Sequence, residues 1–329
     1  MAAIIETKSL TKRYGKLTAV DELSLSVEQG AIFGFVGPNG AGKTTTMRML
    51  TTLLAPTAGE AWVAGASVRR DPRAVRRAIG YMPDFFGVYD DMKVWEYLDF
   101  FAACYEIPEA ARGGLIDNLL ELVDLSHRRD DQVDTLSRGM KQRLCLARTL
   151  AHDPQVLILD EPASGLDPRA RIEIRELLTE LSRMGKTVFF STHILADVAE
   201  ICTQVGIVEA GRLVAQGSLA EMQRRLMPHR RLQITLLGRA DEARLALSGR
   251  EGVIEIRAPS EGADSAERSA NGGHSGGHPS LQVDFAGDDE GVAALLRDLV
   301  SRGLPVVHFT ESMHDVEEVF MRVTKGIVS

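Results

Sequence analysis

The sequence predicts an α/β fold with a mostly parallel sheet over residues 1–222, followed by a smaller α+β domain over residues 228–329. Short apolar runs of strand length recur at Ala31–Val36, Val156–Leu159 and Thr187–Phe190. Helical segments alternate with such runs, the pattern of a parallel sheet. Each run also stops at glycine or polar residues, as expected where function collects at the carboxyl ends of parallel strands.

The chain has 329 residues, enough for a medium domain and a smaller one. Its hydrophobic share of 44% suits a globular chain with a sizeable core. The formal net charge of −8 lacks the basic surplus with which proteins neutralise nucleic-acid phosphates, so no nucleic-acid partner is expected. Cys104, Cys145 and Cys202 are scattered and odd in number, which fits neither a disulfide framework nor a zinc site and suits a reducing cytosol. Met1 to Lys8 carry no apolar leader, and no run approaches the ~18 apolar residues of a membrane span. Any membrane role therefore requires a second chain.

The first domain opens its functional region at Ala31–Val36, which runs into a glycine-rich turn and a helix expected over Thr44–Leu53. Val156–Leu159 then leads to Asp160-Glu161, and Thr187–Phe190 to Ser191-Thr192-His193. The second domain reads as strand Leu232–Leu237, helix Ala240–Leu247, strands Val253–Ala258 and Leu281–Phe285, helix Gly291–Arg302 and strand Pro305–Phe309. That βαββαβ order is ferredoxin-like. A last helix is expected over His314–Val323. Between the halves, residues 259–280 are rich in Gly, Ser, Glu and Ala and include His274 and His278. Such composition reads as a flexible loop rather than a metal site.

Gly37-Pro38-Asn39-Gly40-Ala41-Gly42-Lys43-Thr44 fits G-x-x-x-x-G-K-[ST], placed after a strand and at the start of a helix. That context separates a phosphate loop from a chance match in a glycine-rich turn. Glycines let backbone N–H groups close around phosphate, and the helix N-terminus adds positive potential. Nucleotide contacts are thus expected from Gly37 through Thr45, with Lys43 on the β- and γ-phosphates and Thr44 on Mg²⁺. A buried strand ending in two acids would set Asp160 to hold Mg²⁺ and Glu161 to activate water. Without the phosphate loop, the same pair would read equally well as surface acids. His193 can hydrogen-bond the γ-phosphate, although a lone histidine is more often structural.

Leu136-Ser137-Arg138-Gly139-Met140-Lys141-Gln142-Arg143 stands a little over twenty residues before Asp160. It resembles the L-S-G-G-Q signature of the ABC nucleotide-binding domains. With the phosphate loop, the acid pair, Ser164-Gly165-Leu166-Asp167 and His193, the resemblance covers roughly residues 4–222. It implies a P-loop NTPase core with a helical subdomain that binds and hydrolyses ATP with Mg²⁺. It puts Tyr14 where an aromatic ring stacks on adenine. It also implies a head-to-tail pair of domains, most simply a homodimer, in which Ser137 and Gly139 touch the ATP held by the partner and Asp167 lies at the seam.

Arg138 and Met140 depart from the signature, as in many exporter subunits. Asp84 stands where the family usually carries a glutamine that contacts Mg²⁺, and it enters the expected metal set with Thr44 and Asp160. Nine of the chain's eighteen aromatic residues fall between Tyr81 and Tyr105. In the family this segment meets the membrane subunit. Phe85, Phe86 and Tyr89, on a predicted loop, are the expected docking surface. Phe100, Phe101 and Tyr105 have helical spacing and are expected in the core. The ending from Asp315 to Thr324 resembles subunits of type 2 ABC exporters. The resemblance therefore implies an ATPase at the inner face of the cell membrane, driving a membrane-spanning permease. The competing readings are a soluble mechanochemical ABC ATPase, which usually carries two domains or long coiled-coil inserts, and a scaffold that binds ATP without turnover.

Overall fold

The computed structural model describes residues 3–85, 87, 91–226, 229–257, 278–312 and 320–321. The chain divides into two compact units, the second spanning Ala220–Val319.

The first unit begins with an antiparallel sheet. Strands β1 (Ala3–Tyr14), β2 (Leu17–Leu23) and β3 (Ser26–Glu28) pair around β1, with β5 (Ala58–Val63) and β6 (Ala66–Ser67) on its other side. Between them in sequence come β4 (Ile32–Val36) and α1 (Lys43–Leu50). Then follow α2 (Pro72–Ala78), β7 (Ile79–Met82), α3 (Val94–Cys104), α4 (Glu109–Leu122), α5 (Arg138–Leu150), β8 (Val156–Leu159), α6 (Pro168–Arg183), β9 (Thr187–Thr192), α7 (Leu195–Ile201), β10 (Gln204–Glu209) and β11 (Arg212–Gly217). The second sheet runs β11-β10-β4-β9-β8-β7 and is parallel except for the hairpin of β10 and β11.

Every residue of β4, β8 and β9 is buried, which explains their continuous apolar sequences. Successive side chains of a strand point to opposite faces. Leu157, Leu159, Val188 and Phe190 thus join the core formed with α3, α4, α5 and α6. Val156, Ile158, Phe189, Phe33 and Phe35 face the other way, into the core shared with the antiparallel sheet and α1. There Phe33 stacks on Phe189 at 5.2 Å. The parallel strands are consequently clamped on both faces, which fixes the loops at their carboxyl ends.

The α1 helix is shorter than its periodicity predicts. It stops at Leu50, and Thr52 takes a left-handed backbone with φ +63°. The expectation for α3 also needs correction. Val94, Tyr97, Leu98 and Ala102 form its buried face and Phe101 packs beside them, but Phe100 and Tyr105 are exposed. Phe100 lies on the opposite side of the helix, against the edge of Phe101. Tyr105 lies past the helix end, stacked on His152 at 4.0 Å.

Helix α8 (Leu219–Leu226) leads into the second unit, β12 (Arg230–Leu236), α9 (Ala240–Leu247), β13 (Val253–Arg257), β14 (Ser280–Phe285), α10 (Asp289–Ser301) and β15 (Val306–Ser312). The sheet order is β13-β14-β12-β15, antiparallel throughout. With both helices in their crossover positions, this is the ferredoxin-like arrangement. Leu232, Ile234 and Leu236 alternate into a core with Leu281, Val283, Leu295 and Leu299. The loop expected over 259–280 falls mostly, and the last helix over His314–Val323 largely, outside the described residues.

Candidate functional site: a nucleotide cavity at the carboxyl ends of the parallel strands

The turn after β4 closes tightly. Gly42 caps α1 with φ +95°, and a side chain there would run into the carbonyl oxygen of Ala19. A glycine is therefore required both by conformation and by space. Lys43 opens the helix and folds back, its Nζ donating to the carbonyls of Gly37 at 2.8 Å and Pro38 at 3.3 Å. Gly37 and Pro38 thus hold the lysine, while Asn39 through Thr45 line a cavity of about 500 Å³. Tyr14, Asp84, Glu161, Ser164 and His193 also line it, with Leu17 and Ala19. Tyr14 is half-exposed, with Lys12 Nζ 5.2 Å above its ring.

The acid pair follows β8. Asp160 is buried, 1% exposed, and stands behind the residues that line the cavity. Its backbone N–H donates to Met82 O at 2.8 Å, and its Oδ1 accepts from Ser191 Oγ at 2.6 Å. Burial pushes the Tyr81 phenol above its ordinary pKa, and the nearby charge of Asp160 acts in the same direction. Glu161 takes a left-handed backbone, φ +52°. For a non-glycine residue this conformation costs roughly 1–3 kcal/mol and collects at functional sites. Its N–H donates to Ser191 Oγ at 2.9 Å. Its carboxylate lies between Lys43 Nζ, 3.6 Å from Oε1, and His193 Nδ1, 2.7 Å from Oε2. Glu161 is thus held by a strained backbone, a lysine and a histidine.

Sequence reasoning passed over Ser191, whose hydroxyl bridges both acids. The signal was its place two residues before His193, but its role depends on β8 and β9 being neighbours, with Leu159 opposite Phe190. Gln142 was also missed. It is 4% exposed, and its Nε2 donates to Pro162 O at 2.5 Å.

Ser137 and Gly139 lie outside the cavity lining. Ser137 caps α5, its hydroxyl accepting from Met140 N at 3.3 Å, a bond worth about 1 kcal/mol. Asp167 caps α6 through Ala170 N at 3.0 Å. Of the expected docking aromatics, Phe85 is 89% exposed, while Phe86 and Tyr89 are outside the described residues. Cys104, Cys145 and Cys202 are free thiols. No described helix is long and apolar enough to cross a membrane.

A phosphate loop at a helix N-terminus after β4, an acid pair after β8 in the same sheet and a histidine on the glutamate define a nucleotide hydrolase of the P-loop class. The profile of the ABC transporter family matches residues 20–164. Nod factor export ATP-binding protein I of Ralstonia nicotianae is 40% identical over 219 residues, 67% of this chain and 68% of that protein. The Burkholderia orbicola protein of the same name is 35% identical over 322 residues, 98% of this chain and 97% of that one. Among solved structures, an ATP-binding subunit of an ABC transporter is 30% identical with a TM-score of 0.61, covering 68% of this chain and 92% of that one. The cbiO1 protein of Clostridium perfringens, part of the ABC transporter complex cbiONQ, is 27% identical with a TM-score of 0.61 over 69% of this chain and 95% of its own. The chain belongs to the ABC transporter family as one of its ATP-binding, ATP-hydrolysing proteins.

Proposed function

We propose that this chain powers export through a separate membrane-spanning permease, working at the inner face of the membrane as a head-to-tail homodimer. The carrying observation is Glu161, fixed between Lys43 and His193 at the cavity into which the N-terminus of α1 opens. The export assignment draws on the similarity to proteins named for Nod factor export, one of which aligns along nearly the whole chain. Every phosphate-contacting motif precedes residue 222, and residues 228–329 form an accessory domain.

In this reading, N–H groups of the loop from Gly37 to Thr45 cradle the phosphates, and Lys43 offsets charge on the β- and γ-groups. Tyr14 stacks on adenine. Glu161 accepts a proton from water as the water oxygen attacks the γ-phosphorus and the bond to ADP breaks. His193 holds the Glu161 carboxylate and offers a hydrogen bond to the γ-phosphate. The hydroxyl of Thr44 and the carboxylates of Asp84 and, from behind the cavity lining, Asp160 would supply the oxygen ligands that Mg²⁺ takes. When bound, Mg²⁺ neutralises phosphate charge. Ser137, Gly139 and the free N–H groups of α5 meet the ATP held by the partner copy. Phe85, Phe86 and Tyr89 dock the permease.

Glu161→Gln tests the assignment, because it keeps the shape and removes the base. Turnover should fall at least ~100-fold, while the ATP concentration for half-maximal binding stays near that of the parent. Near-normal turnover in the variant would sink it.

A further inference from the structure

We propose that Arg138 couples the two ATP sites of the dimer by tying the partner-facing end of α5 to the loop that carries Glu161 in the same chain. The inference rests on the head-to-tail dimer proposed above. It starts from a residue that departs from the signature, an arginine where the family usually has glycine.

Arg138 is the first residue of α5, directly after the cap Ser137. Its Nη2 donates to Ser164 O at 3.2 Å. One turn on and on the same face, Gln142 Nε2 donates to Pro162 O. Two carbonyls of the segment that follows Glu161 are thus held by one face of one helix. The arginine also has a seat. Gly165 has φ +67°, and a Cβ there would lie 2.5 Å from Arg138 Cζ. The guanidinium therefore occupies the space that a side chain at Gly165 would fill. Gly139 repeats the closeness on the next element, since a Cβ there would come within 3.2 Å of Ala170 Cβ in the first turn of α6.

At its other end, the segment begins at Glu161, whose N–H is fixed by Ser191. A shift of the α5 N-terminus therefore has a short, hydrogen-bonded route to the catalytic carboxylate. In the head-to-tail dimer, Ser137 of a chain serves one ATP and Glu161 of that chain serves the other. The clasp then links occupancy of one site to the geometry of the second, which is a coupling free energy and acts in both directions. Arginine suits the position because its planar fork can donate to a carbonyl while filling the space beside a bare glycine, which a compact ammonium cannot do.

The experiment measures turnover against ATP concentration in the full-length chain and in Arg138→Gly, with ATP binding to each variant measured in parallel. The parent should hydrolyse ATP with a Hill coefficient above one. Arg138→Gly should bind ATP with parental affinity at the single-chain level, because Arg138 is outside the cavity, yet show a Hill coefficient near ~1 and a lower maximal rate. Arg138→Lys should recover part of the cooperativity, a graded response that a loss of folding would not give. Glu161→Gln, which should hold ATP without hydrolysing it, should accumulate as a dimer in ATP; if it does, a parental Hill coefficient and rate in Arg138→Gly overturns the coupling alone. Glu161→Gln remaining monomeric in ATP overturns the dimer and the coupling together.

Discussion

Glu161 shows how much one position can carry. Its strained backbone, its N–H bond to Ser191 and its contacts to Lys43 and His193 leave little freedom for the carboxylate. The placement of Lys43, Thr44 and Glu161 at one cavity, with Asp160 just behind it, was legible from the motif spacing and the buried strand. The role of Ser191 was not, since a serine hydroxyl bridges two acids only after two strands distant in sequence lie side by side. Asp84 sits between these cases. It is exposed and lines the cavity, where the resemblance implies a metal-contacting amide. In the proposed function a carboxylate there would supply a charged oxygen ligand for Mg²⁺, directly or through one water. Asp84→Asn should therefore raise the Mg²⁺ concentration needed for half-maximal turnover and slow the rate. A Mg²⁺ titration with unchanged midpoint and rate would reduce Asp84 to a loop residue.

Among the elements, legibility followed burial. Strands β4, β8 and β9 were read because both faces of their sheet are covered, and β12 and β14 because one face is. The antiparallel sheet around β1 was not anticipated. The twelve residues of β1 mix polar and apolar side chains, and its pairing with β5 slips register between Lys8 and Thr11, so simple alternation fails. The α3 face was misassigned because helical spacing does not say which side is buried or where the helix stops. His152 pins this region. Its Nε2 bonds Ile79 O at 2.8 Å at the start of β7, its ring stacks on Tyr105, and its Nδ1 is buried without a partner. Burial lowers its pKa below the ordinary 6.5. The unfolded chain then takes up a proton that the folded chain resists. Stability from the neutral ring is full above pH 6.5 and is lost as pH falls through the depressed folded value. Replacing it by a side chain that donates but does not titrate removes that dependence. His152→Gln should show a smaller drop in Tm between pH 7.5 and pH 5 than the parent, and equal drops would exclude the histidine as the cause.

At the scale of the whole molecule, the first unit holds every element of the nucleotide cavity, while Ser137 and Gly139 begin a helix outside its lining. A serine cap with free N–H groups at a helix N-terminus suits an anion. The proposed dimer supplies that anion from a second copy and makes each ATP site a composite of two chains. The most direct test mixes two defective proteins. Lys43→Ala removes the phosphate lysine and Ser137→Arg blocks the signature, so each alone should be nearly inactive. A mixed pair has one site with both Lys43 and Ser137 intact, so mixing should restore turnover that neither protein shows by itself. Mixed dimers that form but remain as inactive as their parents, or full turnover by Ser137→Arg alone, would contradict the composite site.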